Sequence, residues 1–205
     1  MKNITYLLFF SSFLAFTSCQ QSSGNENSQN ATASPEALLP EPGPSEDELW
    51  LSLAPYMIPD PLTDAEREQN RILDYALEKG IAGSFTTSGL FYQLKGMTDT
   101  SSIAWGDRLQ VFYTGYFLNG EVFDRSQNPE KPFEFYVGNM IDGWNEGLQL
   151  ANPGAELILI VPSQLAYGKD GLKDKQGRYV IPPDEILVFE ITVHRSLQTP
   201  AISFE

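Results

Sequence analysis

Between Ser45 and Gly83 the apolar residues of this chain recur at helical spacing, and beyond Gly83 they alternate as strands do. Ser45-Glu46-Asp47-Glu48 and Thr63-Asp64-Ala65-Glu66 each set a hydroxyl three residues ahead of a glutamate, the pattern in which side chains satisfy the free amides of a first helical turn. Two helices are expected, the first stopping before Pro55 and the second running to Lys79 with Gly80 as its left-handed cap. Ile72, Leu73, Ala76 and Leu77 make the apolar stripe of the second, to be packed on its own domain. After Gly83, GLFYQL (89–94), DRLQVFYTGYFL (107–118), KPFEFYVG (131–138), AELILIVP (155–162) and EILVFEITVHR (185–195) are rich in β-branched and aromatic residues, with turn signals between them. They predict an antiparallel sheet of about five strands, with Asn119-Gly120 as a tight turn. Residues 140–150 are the one stretch of this half that reads as a short helix, and Ile141, Trp144 and Leu148 share the face that would pack into the concave side of the sheet. The expected fold class is α+β, an antiparallel sheet wrapped on one short helix and preceded by an N-terminal helical arm.

The stretch ahead of Ser45 carries neither period. Met1-Lys2, the mostly apolar run ITYLLFFSSFLAF (4–16) and Thr17-Ser18 read as a secretory signal, the run being shorter than the roughly 20 residues a spanning helix needs. Cys19 is the only cysteine and has no disulfide partner in the chain. Its surroundings resemble a bacterial lipobox, in which the cysteine becomes the lipidated N-terminus. Gln20 to Pro44 are almost all Gln, Ser, Asn, Gly, Pro, Ala and Glu, a flexible coil with a reach of roughly 25 to 30 Å. The expected organisation is a signal over 1–18, a tether over 19–44, a helical arm over 45–85, a globular domain over 86–196 and a tail over 197–205. Such a protein would sit in the cell envelope, held to a bacterial membrane at its periplasmic or outer-membrane face by lipid on Cys19.

Composition narrows the chemistry. With 205 residues, 41% of them hydrophobic, the chain can bury one core of ordinary domain size. Asp and Glu number 27 against 13 Lys and Arg, and the net charge of −14 sets the chain against nucleic-acid phosphates, so no nucleic acid is expected as partner. One histidine, His194, and one cysteine are too few for a Cys/His metal centre or a serine triad, and no glycine loop has phosphate-binding spacing. No metal or cofactor is implied. Composition leaves paired carboxylates for glycoside hydrolysis open, though nothing in the sequence positions them, while aromatic residues around Asp124 suit a reaction that breaks no covalent bond. Taken singly, each residue also has a plain reading: Tyr113 with Leu109 and Val111 as core, Asp124 as a turn cap or partner of Arg125, Tyr167 as a core phenol.

Tyr113-Thr114-Gly115, Phe123-Asp124, Pro132-Phe133-x-Phe135, Val137-Gly138, Gly143-Trp144-x-Glu146-Gly147, Ala166-Tyr167-Gly168, Ile181-Pro182-Pro183 and Leu187-Val188-Phe189 follow one another within residues 86–196. In that order they resemble the FKBP-type peptidyl-prolyl cis/trans isomerases. The resemblance implies a catalytic set of Tyr113, Phe123, Asp124, Trp144, Tyr167 and Phe189, with Trp144 as the floor, and substrate contacts from Phe133, Met140, Ile141, Val180 and Ile181. It also implies that the Ile141 amide and the Tyr167 hydroxyl meet carbonyl groups of a bound prolyl segment. The expected partners are proline-containing segments of exported or outer-membrane proteins, and the short arm favours a monomer. A pocket of this kind also suits a weakly active or inactive module that docks proline-containing segments of a membrane-associated complex.

The chain departs from the family pattern twice. Where many members place an arginine to pair with the aspartate, this sequence has SQNPE, with Pro129 near the matching position, so that Asp124 is left to a tyrosine hydroxyl or to solvent. The loop after Tyr167, GKDGLKDKQGRY, is longer than the compact family form and carries four basic residues. It is expected to overhang the pocket, where it would select acidic or extended substrates, exclude macrolides, or stand as a solvated insertion.

Overall fold

The computed structural model describes residues 43–96, 101–126, 128 and 130–197. The signal segment, Cys19, most of the tether, Gln127, Pro129 and the tail after Leu197 lie outside these residues. Both predicted helices form: α1 spans Glu46–Leu53 and α2 spans Asp64–Lys79. Each begins with a reciprocal capping box, at Ser45 with Glu48 and at Thr63 with Glu66. Gly80, at φ 68° and ψ 31°, closes α2 in the left-handed conformation that glycine adopts at no steric cost. A short 3-10 turn, Ala54–Tyr56, carries Pro55 out of α1.

The strands are β1 (Ser84–Phe85), β2 (Phe91–Lys95), β3 (Arg108–Phe117), β4 (Val122–Arg125) and β5 (Phe133–Tyr136), followed after helix α3 (Asp142–Gln149) by β6 (Glu156–Val161), β7 (Leu172–Lys173), β8 (Tyr179–Ile181) and β9 (Leu187–Leu197). One antiparallel sheet runs β1-β2-β6-β9-β3-β4, and β5 pairs with the opening half of β3. It therefore has seven strands where about five were expected, because β1 and β4 are too short for alternation to register. β7 and β8 pair only with each other.

Both faces of the central strands are covered. On one face Leu157, Leu159 and Val161 of β6 and Leu187, Phe189, Ile191 and Val193 of β9 bury against Trp144 and Leu148 of α3. The residues between them, Ile158 and Ile160 of β6 and Val188 of β9, meet Leu49 and Leu53 of α1 and Ile72, Leu73 and Ala76 of α2. The period of two in a strand divides one sheet between two cores. The arm is thus a second layer on the sheet, and α3 the layer on the opposite side.

Glycines let α3 lie close to the sheet. A Cβ on Gly143 would stand 2.4 Å from Val161 Cγ1, and one on Gly147 would stand 2.7 Å from both methyl carbons of Leu159. That close approach seats Trp144 at the centre of the concave face.

Candidate active site

A cavity of about 390 Å³ opens beside α3. Its walls come from six separate pieces of chain: Tyr113 from β3, Phe123 and Asp124 from β4, Asn139, Met140 and Ile141 from the turn before α3, Trp144 from α3, Tyr167 from the turn after β6, and Phe189 from β9. The floor is Trp144, only 1% exposed. Its ring lies 5.1 Å from Tyr113, 5.6 Å from Phe135 and 5.2 Å from Phe189, mostly edge to face, the arrangement that aromatic quadrupoles prefer. The indole N–H of Trp144 has no acceptor among the described residues. Gly115 belongs to the same packing, since a Cβ there would meet Phe123 Cζ at 2.7 Å and Phe189 Cε1 at 3.0 Å.

Asp124 is held by a phenol. The Tyr113 hydroxyl donates to its Oδ2 at 2.7 Å, and the Arg125 amide donates to Oδ1 at 2.8 Å. Of the two holders considered from the sequence, tyrosine or solvent, the structure shows both, since the Tyr113 hydroxyl holds a carboxylate that stays exposed; the Pro129 position itself lies outside the described residues. Burial, reinforced by the hydrogen bond to Asp124 and by its charge, pushes the Tyr113 phenol well above its ordinary value. Burial first and then the charge of Asp124 push the Tyr167 phenol up too. Both hydroxyls therefore stay protonated at neutral pH. Tyr113 has already committed its proton to Asp124, whereas the Tyr167 hydroxyl has no hydrogen-bond partner among the described residues.

Asn145 sets the lip of the cavity. It is buried, its Oδ1 accepts from the amides of Gly138 at 2.8 Å and Met140 at 3.3 Å, and its Nδ2 donates to the Met140 carbonyl at 2.6 Å. One side chain of α3 thereby holds the turn that presents Met140 and Ile141. Neither Asn139 nor Asn145 was singled out from the sequence. The available signal was a polar residue between Trp144 and Glu146, on a helix whose neighbouring positions bury.

Three of the expected contacts stand elsewhere. Phe133, 37% exposed, lies behind Tyr113 in an adjoining cleft of about 400 Å³ that Arg125, Lys131 and Pro132 also line. Ile181 is buried in the core, and Val180, the residue before it in β8, points outward at 43% exposure. The loop after Tyr167 does not wall the cavity. It folds on itself: Gly171 N–H donates to the Tyr167 carbonyl at 3.2 Å, Asp184 N–H to the Gly168 carbonyl at 2.9 Å, and Asp174 accepts from the amides of Gln176 and Arg178 at 2.9 Å each. These bonds pinch the base and fill the tip, so the segment leaves as a separate two-stranded ribbon. No cluster of three or more His, Cys, Asp or Glu suited to a metal ion occurs among the described residues.

Residues 100–194 match the family model described as FKBP-type peptidyl-prolyl cis-trans isomerase. These residues form an FKBP-type domain. A probable FKBP-type peptidyl-prolyl cis-trans isomerase of Haemophilus influenzae is 36% identical to the chain over 115 residues, which are 56% of this chain and 46% of that protein. The FKBP-type 22 kDa peptidyl-prolyl cis-trans isomerase of Escherichia coli is 39% identical over 106 residues, 52% of this chain and 49% of that protein. The crystal structure of AtFKBP13 overlays with a TM-score of 0.51 at 33% identity, covering 56% of this chain and 98% of that one. The chain spans about half the length of the curated relatives it matches. Every wall of the cavity lies within the FKBP domain, while α1, α2, β1 and β2 precede its matched residues.

Proposed function

We propose that this chain accelerates cis/trans rotation about Xaa-Pro peptide bonds in exported proteins, by binding the proline in the aromatic cavity and forming no covalent intermediate. The observation that carries the reading is the cavity itself: aromatic walls, a buried indole floor, and one carboxylate already satisfied by a phenol. An Xaa-Pro amide is held planar by resonance, with a rotation barrier of about 18–20 kcal/mol, and turns over unaided in tens to hundreds of seconds. Twisting it destroys the resonance and leaves a less polar group. A water-poor aromatic wall therefore favours the twisted amide over the planar one, which is catalysis by differential binding. The Tyr167 hydroxyl, protonated and without a hydrogen-bond partner among the described residues, would donate to a carbonyl of the bound segment. Asp124 fixes the Tyr113 ring and does not exchange protons with substrate.

The signal-like segment and Cys19 support an envelope location, with the tether holding the domain clear of a membrane by lipid at Cys19. The test is the isomerisation rate of Xaa-Pro peptides, by NMR exchange or a stopped-flow assay, with the tethered domain free of its lipid. Clear acceleration is expected, reduced roughly tenfold or more by Trp144→Leu and by Tyr167→Phe. Peptide binding without acceleration would reject the isomerase and leave a docking module for proline-containing segments.

A further inference from the structure

Glu68 is a carboxylate where packing calls for an apolar side chain. It stands four residues ahead of Ile72, on the α2 stripe that covers the sheet, and is only 8% exposed. Both of its oxygens are taken by Ser163, 95 positions along the chain: Oε2 accepts from the Ser163 amide at 2.8 Å and Oε1 from the Ser163 hydroxyl at 2.6 Å. Two bonds to one carboxyl group, one from the backbone and one from the side chain, fix a residue more firmly than either alone.

Ser163 opens the turn that carries Tyr167. Leu165 N–H donates to the Pro162 carbonyl and Ala166 N–H to the Ser163 carbonyl, both at 3.0 Å. Ala166 then leaves the turn at φ −117° and ψ −111°, outside the helical and extended regions, and Tyr167 follows. A side brace runs from the same turn, where Gln164 Nε2 donates to the Ser88 carbonyl at 3.2 Å and the Ser88 hydroxyl donates to Glu146 of α3 at 2.6 Å.

We propose that Glu68 is a positioning residue for Tyr167: by clamping Ser163 it fixes the turn that aims the phenol into the cavity, and so makes α2 part of the active-site scaffold. Nothing in the matched family residues assigns this role, since α2 precedes them. The inference rests on the cavity being the isomerase pocket.

A double-mutant cycle tests it. Glu68→Ala is expected to lower kcat/KM for Xaa-Pro peptides roughly tenfold and to add nothing on a Tyr167→Phe background, because both changes act through one hydroxyl. Glu68→Gln, which keeps an acceptor for Ser163, is expected to recover part of the loss. Ile72→Val, which loosens the same helix without touching the carboxylate, is expected to leave kcat/KM of the folded protein unchanged. Losses that multiply in the double variant, or a loss in Ile72→Val as large as in Glu68→Ala, would overturn the proposal. If Glu68→Ala does not fold, Ser163→Ala removes only the hydroxyl half of the clamp and is expected to show the same pattern in smaller degree. Carbon-edited NMR signals of the Tyr167 ring give a readout that needs no turnover. They are expected to move in Glu68→Ala and Ser163→Ala and to stay in place in Ile72→Val, even if the parent protein only binds proline peptides. Unmoved Tyr167 signals in the clamp variants would sink the proposal whether or not the parent isomerises.

Discussion

The bond from Tyr113 to Asp124 leaves a pH signature. Unfolded tyrosine ionises near pH 10, whereas burial and then Asp124 hold Tyr113 protonated beyond that point, and burial with the same charge does so for Tyr167. Above about pH 10 the unfolded chain gives up protons that the folded chain keeps, so the stability from these two phenols is whole below that pH and is lost as pH rises toward their folded values. Urea midpoints are expected to fall between about pH 10 and 11, and Tyr113→Phe is expected to flatten part of that fall. An equal fall in the variant would remove Tyr113 from the account. At neutral pH the same substitution is expected to cost about 1 kcal/mol, the discounted value of one hydrogen bond to a partly exposed carboxylate. Local chemistry made Asp124 legible as needing a partner, but the choice of Tyr113 depends on the β3–β4 register, in which Gly115 faces Asp124.

The strongest demand among the elements is made by α3, whose two glycines sit against β6. Alanine is a better helix former than glycine by about 1 kcal/mol, yet a Cβ at either position would press into Val161 or Leu159. Gly143→Ala and Gly147→Ala are therefore expected to destabilise by about 1–3 kcal/mol in urea unfolding, and a gain in either would mean that α3 can back away from the sheet. Elements with local punctuation were readable from the chain: α2 has a capping box at one end and Gly80 at the other, and the long strands alternate over enough residues to show a period. The ribbon β7–β8 was not, because strands of two or three residues carry no period, and its register alone decides that Ile181 turns inward and Val180 outward. Unbroken apolar runs such as LILIV in β6 and LVF in β9 do signal burial on both faces. A run cannot say what covers the second face, and here α1 and α2 do.

For the whole molecule, that second layer means the arm and the FKBP domain share one sheet and should unfold together. Leu73→Ala, deep in the contact between α2 and the sheet, is expected to lower stability by about 2–5 kcal/mol in a single transition; two transitions, with the second unchanged, would show the arm to be a separate unit. The cavity residues other than Asn139 were legible because eight short motifs fall in the order in which β3, β4, α3, the Tyr167 turn and β9 follow one another, whereas the Glu68 clamp spans 95 positions and leaves only an odd carboxylate on an apolar stripe. Strand β9 is paired along both edges, with β6 and with β3, and its opening residues are buried on both faces, Leu187 and Phe189 under α3 and Val188 under the helical arm. Amides at Val188 and Phe189 therefore have no local route to solvent, and in deuterated water exchange there is expected to record complete opening of the molecule, while the β7–β8 ribbon exchanges by fraying on its own.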